Sequence, residues 1–524
     1  MRQGLGGNKL KRFLEKMHEA EWRRYGYLLF AGKCLGLALL LGCIYFVSTF
    51  IGTEAQAEDV APVLSGNAIV NPINTVWTLV GAFLVFGMQA GFTMLEAGFS
   101  RSRETVNVLM ECVVDTCLCG LLFYAFGFAF LFGSGSPWIG KEFFFLQHIP
   151  ATYGTSGVAF LAFFLFQFAF ADTCSTITSG AMIGRTGFLG DLLYSVVVSG
   201  FIYPILGHWA WGPDGFLALM GSPGNFFPGL GIGFHDFAGS TVVHTIGGFV
   251  ALAGSIVLGP RLGRRFKSEG GGPMLPHDLT MATVGGLILW FGWYGFNPGS
   301  TLSAMDFEGI GRVATNTTLA ACAAGLVAML FAYPKTKIWD VSFTVNGFLA
   351  GLVAITCPCY WVSPTGSIAI GGIAGVVVIL AVDLLEWLKI DDPIGAVPVH
   401  GICGIWGTLS LGFFACGKYG LSGPLAADNS APLTGLFYGG GTQVLLAQAL
   451  GSFIVTATTF ISALLVMYAI NAMGILRVSE EGELRGLDVH EHGISAYPEY
   501  VINSFATPHG SLKSKGDRVQ KRDE

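Results

Sequence analysis

Charge is scarce in this chain: Asp, Glu, Lys and Arg together make up 12% of its 524 residues. Soluble globular domains carry about 25%, so a water-soluble globule is excluded. Paired-cysteine motifs are missing too. Eleven cysteines are present, but no CxxC occurs, so they read as small buried hydrophobes rather than metal ligands or a disulfide frame. Cys357 and Cys359, near an outer loop, stand as an exception. What the chain does have is apolar: 52% of it is hydrophobic, with 75 glycines and 43 phenylalanines. Apolar stretches of about twenty residues recur along nearly its whole length, the pattern of an all-α polytopic membrane protein. The glycines fit close helix–helix approach in lipid. The net charge of −6 says little, because membrane topology follows where Lys and Arg sit rather than their sum.

Residues 1–25 are polar and basic, and 26–51 are apolar apart from Lys33. Ala55-Gln56-Ala57 and acidic Glu58-Asp59 follow. This N-terminal extension, 1–72, reads either as a signal peptide cleaved after Ala57 or as an extra signal-anchor helix. From 73 to 475 the pattern predicts eleven spans, near 73–98, 106–133, 154–182, 188–207, 239–260, 276–298, 310–333, 341–357, 368–388, 395–416 and 445–472. With the first span starting outside and the C-terminus in the cytoplasm, seventeen Lys and Arg of the core and tail fall inside. Only Lys141, Arg312 and Lys418 fall outside. That asymmetry fits the positive-inside rule, with multi-pass residence in the plasma (inner) membrane. The tail, 476–524, is polar, expected to be ordered to about residue 500 and disordered beyond it.

Two stretches far apart share one pattern. DFAGSTVVHTIGG (236–248) and DPIGAVPVHGICG (392–404) both read D-x-x-G-x-x-x-V-H-x-I-x-G. His244 falls in the fifth span and His400 in the tenth. Five being odd, two five-span halves must be oppositely oriented, an inverted repeat whose site is expected at mid-depth between the halves. Eight helical residues from each aspartate give about 12 Å of rise from either face. Asp236 and Asp392 read most simply as helix N-caps.

Histidines at this depth are functional candidates. Two neutral imidazoles facing each other can share a hydrogen bond and still offer donors and acceptors to a small polar guest. Both cannot easily be charged, and a bare cation there is heavily penalised. The pair suits a small neutral hydrogen-bonding molecule or a relay of its proton. No third ligand or nucleophile accompanies either histidine, so neither a metal, a cofactor nor an enzyme is expected. Phe166, Phe170, Trp211, Phe296 and Ser300 could hold a desolvating cation by cation–π attraction and a hydrogen bond. An interfacial aromatic belt accounts for them equally well.

Several stretches closely resemble the ammonium transporter family: MQAGFTMLEAGFSRSR (88–103), FAFADTCSTITSGAMIGR (168–185), DFAGSTVVH (236–244), GWYGFNPGS (292–300), DDPIGAVPVHGICGIWGT (391–408) and GLDVHEHGISAY (486–497). The resemblance covers about 75–500. It implies a pore histidine pair at His244 and His400, and a recruitment site at Trp211, Phe170 and Ser300. It implies a phenylalanine gate at Phe170 and Phe296, and a structural and electrostatic aspartate at Asp236 below the recruitment site. It further implies a homotrimer, deprotonation of ammonium with NH3 and proton crossing separately, and a PII-type protein on the cytoplasmic face. Methylammonium would serve as substrate analogue, and no nucleic acid is expected. Sensor relatives, the alternative, usually carry a fused catalytic domain, for which the tail after 475 is short. The chain departs from the family pattern at Arg101-Ser-Arg103-Glu104, at Glu111 and at Gly184, all on or near the cytoplasmic side.

Overall fold

A computed structural model describes residues 69–154, 156–419 and 432–498. The expectations for residues 1–68 of the 1–72 extension and for residues beyond 498 lie outside the described residues. Within them the chain forms eleven helical rods: α1 (Val70–Phe99), α2 (Ser102–Phe132), α3 (Phe160–Gly180), α4 (Phe188–Trp211), α5 (Ser240–Leu258), α6 (Leu279–Thr301), α7 (Phe307–Thr336), α8 (Val341–Thr356), α9 (Pro364–Leu388), α10 (Val397–Phe414) and α11 (Gln443–Ala472). Ten are long and apolar enough to cross a membrane, while α8 is a shorter apolar helix of 16 residues. Helices are what such sequence must form, since lipid offers nothing to a free backbone N–H or C=O. Two short helices, α12 (Glu480–Arg485) and α13 (Leu487–Glu491), fold the tail back on one end of the bundle, here the tail side.

Polar residues mark where rods start. Asp278 accepts from Met281 N, Asp306 from Gly309 N, Asp340 from Ser342 N and Ser363 from Gly366 N, capping α6, α7, α8 and α9. Each occupies a free N–H of a first turn. Small residues bring the rods together. Helices α1 and α6 pack so closely that a Cβ on Gly98 would stand 2.4 Å from Ala282 N, and one on Gly285 2.4 Å from Leu95 N. Outward faces carry Phe83, Phe291, Leu326, Phe453 and Leu465, suited to lipid.

The repeated motif folds the same way twice. Asp236 and Asp392 precede glycines in the left-handed region, Gly239 (φ +110°) and Gly395 (φ +84°). Each is followed by a π-helical turn, Ser240–Thr245 or Val397–Ile402. The expectation of eight regular helical residues from aspartate to histidine needs correcting here. The helices begin at Ser240 and Val397, and the wide turn carries each histidine into the bundle. Where α5 and α10 cross, a Cβ on Gly248 would lie 2.2 Å from Gly401 N, and one on Gly404 2.5 Å from Ser240 O. Backbone meets backbone at the centre of the molecule.

Replacing Gly248 with Ala therefore forces α5 and α10 apart. The expected loss is about 1–3 kcal/mol, read as a lower thermal unfolding midpoint of the purified protein in detergent. Gly372→Ala, where a Cβ meets only a side-chain atom at 3.9 Å, is the control and leaves the midpoint unchanged.

Candidate functional site

A line of rings descends through the bundle from the side opposite the tail. Trp211 stands edge-on to Phe170, centroids 6.2 Å apart. Phe170 stacks on Phe296 at 4.0 Å and 24°. Phe296 lies 5.4 Å from His244, and His244 5.2 Å from His400, all near-parallel. Phe166 packs on the flank of Phe170 at 4.7 Å. The two phenylalanines are in contact, so passage between them requires a ring to turn. Ser300 ends α6 one turn beyond Phe296, and its hydroxyl donates to the Phe296 carbonyl at 2.8 Å. That bond leaves the oxygen as an acceptor.

The histidines meet through Nδ1, 3.2 Å apart. For a hydrogen bond to form, one ring donates its Nδ1–H and the other accepts. The donor ring then has a bare Nε2, and the acceptor ring carries its proton there. A neutral pair thus presents one acceptor and one donor to whatever passes. His244 is fully buried and His400 nearly so. His244 Nε2 has no hydrogen-bond partner among the described residues. Both imidazoles cannot be charged at this separation without solvent.

Asp236 sits beneath the aromatic end, and its carboxylate is fully engaged. Oδ1 accepts from Gly239 N and Ser240 N, and Oδ2 from Thr241 N and Val242 N, all at 2.9–3.0 Å. Its main-chain carbonyl accepts from Trp211 Nε1 at 2.7 Å. One residue thus starts α5 and aims the indole. Asp392 takes Gly395 N, Ala396 N and Val397 N in the same way.

The tail side closes around a second carboxylate. Asp391 receives Arg261 Nε at 2.8 Å and Nη2 at 2.9 Å, with Arg264 Nε at 3.4 Å. Arg185 Nη2 donates to the Asp391 carbonyl at 2.6 Å. Burial pushes the Asp391 carboxyl up, but the Arg261 charge and its hydrogen bonds, followed by Arg185, outweigh it and hold the group far below the usual range. Arg477 of the tail donates to the Leu258 and Pro260 carbonyls next to this layer and pairs with Glu483 of the tail. The departures at 104 and 184 are one exchange. A Cβ on Gly184 would meet Glu104 Oε1 at 2.7 Å, so the buried Glu104 fills the space that glycine leaves and pairs with Arg101. Glu111 accepts from Asn107 Nδ2 at 2.8 Å inside α2.

Sequence reading passed over Trp293, which stacks on His244 at 5.2 Å and donates through Nε1 to Thr356. Its spacing from Phe296, one helical turn on the same face, was the available signal. The Asp391 cluster was also passed over, because its arginines are distant in sequence.

A ring-lined path ending on a buried histidine pair, within a multi-pass helical bundle, defines a membrane conduit for a small molecule. The chain belongs to the Ammonium Transporter Family, whose sequence profile matches residues 76–497. It is 42% identical over 480 residues to the ammonium transporter Amt2 of Archaeoglobus fulgidus, covering 91% of this chain and 98% of that protein. It is 40% identical over 453 residues to a putative ammonium transporter of Synechocystis sp., covering 85% and 93%. Among solved structures it resembles a sensor Amt protein, with TM-score 0.71, 37% identity and coverage of 81% and 99%. It also resembles Candida albicans Mep2, with TM-score 0.70, 28% identity and coverage of 84% and 94%. The family, like Amt2, is one of transporters rather than enzymes.

Removing the Asp391 charge leaves the buried Arg261 guanidinium without its carboxylate partner. Asp391→Asn should destabilise the protein by about 3–5 kcal/mol. Because the folded group titrates below its unfolded value of about 3.9, its stabilisation is present above that pH and lost as pH falls through the folded value. Thermal midpoints of wild type and variant, measured from neutral to acid pH, should converge only below about pH 4.

Proposed function

We propose that this chain conducts ammonium across the inner membrane as a homotrimer, its C-terminal tail in the cytoplasm. The observation that carries the reading is the line of rings from Trp211, edge-on to Phe170, through stacked Phe170, Phe296 and His244 to His400, which ends in a donor–acceptor pair. The faces of Trp211 and Phe170, with the Ser300 oxygen, suit a small cation shedding water; such contacts are worth about 2 kcal/mol or more once desolvated. Further down, no carboxylate among the described residues lines the stacked rings to balance a charge. A cation entering this path must therefore leave its proton behind, and NH3 is the species that fits between Phe170 and Phe296. His244 and His400 then replace its lost water, one nitrogen accepting and one donating. Asp236 acts by starting α5 and fixing Trp211, and its negative charge favours a cation overhead. The Arg-rich tail side is a surface for a PII-type regulator. Similarity to a sensor Amt protein supports a second reading, in which the same cup binds ammonium but scarcely conducts and signals to a partner.

Asp236→Ala would leave four N–H groups unsatisfied at the start of α5, so methylammonium uptake should be abolished. Trp211→Leu should retain uptake and raise the apparent KM about 3- to 30-fold, the equivalent of the lost cation–π term. Asp in place of His244 or His400 should alter selectivity, letting potassium compete. Unchanged uptake in all of these would rule the assignment out. Current in proteoliposomes after an ammonium jump separates the readings: a transporter gives a saturable signal and a pure sensor gives none.

A further inference from the structure

The turn that carries Ser300 is held in place by α1. Pro298–Thr301 tighten the last turn of α6, and Leu302 follows in the left-handed region at φ +51°. Leu302 is fully buried. A residue other than glycine stays in that region only where its surroundings over-determine it. Here they include one face of α1, formed by Asn74, Trp77 and Gly81 at helical spacing.

Each of the three holds the turn differently. Trp77 Nε1 donates to Thr301 Oγ1 at 3.0 Å. Gly81 lets the backbones close in: a Cβ there would lie 3.2 Å from Gly299 Cα and 3.0 Å from the Phe166 ring. Asn74, buried, uses both ends of its amide. Its Oδ1 accepts from Ala304 N at 2.9 Å and from Ser303 Oγ at 3.3 Å. Its Nδ2 donates to the Ser156 carbonyl at 2.7 Å, shortly before α3 begins at Phe160. The neighbouring Thr75 Oγ1 accepts from Ala159 N at 3.0 Å. On its other side the turn is tied to α7, Asn297 Nδ2 donating to Thr317 Oγ1 at 3.0 Å.

Fastening helix ends is the plainer role for a buried amide in a membrane bundle. The segments that Asn74 joins go further than that. One carries Phe296 and Ser300, and the other leads into α3 with Phe166 and Phe170. They are two walls of the cup formed by Trp211, Phe170 and Ser300. Phe166, in contact with Gly81 and Gly299, packs on Phe170 at 4.7 Å. A shift of the turn therefore moves the Ser300 oxygen against the Phe170 ring.

We propose that Asn74 and Trp77 are positioning residues for cation recruitment, setting the Ser300 oxygen relative to the Phe170 ring without touching the cation. This rests on the ammonium reading. The cation meets Ser300 and Phe170 before any later step, so a looser turn weakens binding and leaves onward passage unaltered. Such a loss raises KM and spares the maximal rate.

The test uses the full-length protein in proteoliposomes, with methylammonium uptake measured over a range of concentrations. Asn74→Ala and Trp77→Phe are compared with wild type, alone and combined with Ser300→Ala. Each should raise the apparent KM about 3- to 10-fold, the equivalent of one buried hydrogen bond, with the maximal rate retained. In the Ser300→Ala background neither should raise KM further, since the oxygen they position is gone. Trp77→Phe keeps a ring and loses only the N–H, so it decides alone if Asn74→Ala does not fold. Unchanged KM overturns the proposal, and so does a rise that adds in full to that of Ser300→Ala. A fall of maximal rate and thermal midpoint with KM unaltered also overturns it, marking the ties as structural. If the wild type itself takes up no methylammonium, the ammonium reading fails, and amide hydrogen exchange decides the positioning alone. The amides to follow are those of Ser300 and Leu302, bonded to the Asn297 and Gly299 carbonyls. Faster exchange there in the variants supports the positioning role, and wild-type exchange overturns it.

Discussion

The arrangement rests on a carboxylate closing the open end of a helix inside the membrane. A helix that starts in the protein interior exposes N–H groups to which lipid offers nothing. Asp236 takes four of them in one step. That allows α5 to start with a wide π-turn after a glycine in the left-handed region. The wide turn sets the direction of His244, and the Asp236 carbonyl holds the indole above. Asp392 repeats the device at the start of α10. Two helix starts facing each other across Gly248 and Gly401 bring the histidines together.

The same bundle separates polar chemistry into two columns. One is nearly free of carboxyls: rings from Trp211 to Trp293, then the Nδ1–Nδ1 contact. The other, between α1 and α4, is crowded with carboxyls and has no basic partner among the described residues. A low-dielectric ring stack disfavours a bare charge, and acids buried in the second column depend on neighbouring hydrogen-bond donors.

Much of this was legible in the order of residues. Alternating apolar runs and placed arginines predicted eleven spans, and the described residues form eleven rods, of which α8 has 16 residues. The matched Asp-Gly-Val-His motifs marked the inverted repeat, since each residue has a local duty: cap, left-handed turn, packing and histidine. The regular rise from aspartate to histidine was misjudged, as nothing in the spacing distinguishes a π-turn from an α-turn. Trp293 escaped notice among equivalent aromatics. The partnership of Glu104 with Gly184 was read as two separate departures.

Membrane residence, span order and the paired motifs were determined by the sequence alone, because hydropathy, glycine backbone freedom and helix capping act over a few neighbouring residues. The tertiary structure alone decided that Phe170 meets Phe296, that His244 meets His400 through Nδ1, and that Asp391 collects three arginines from two loops. Each of those is a distance between residues remote in the chain, set by how closely glycine-lined helices can pack.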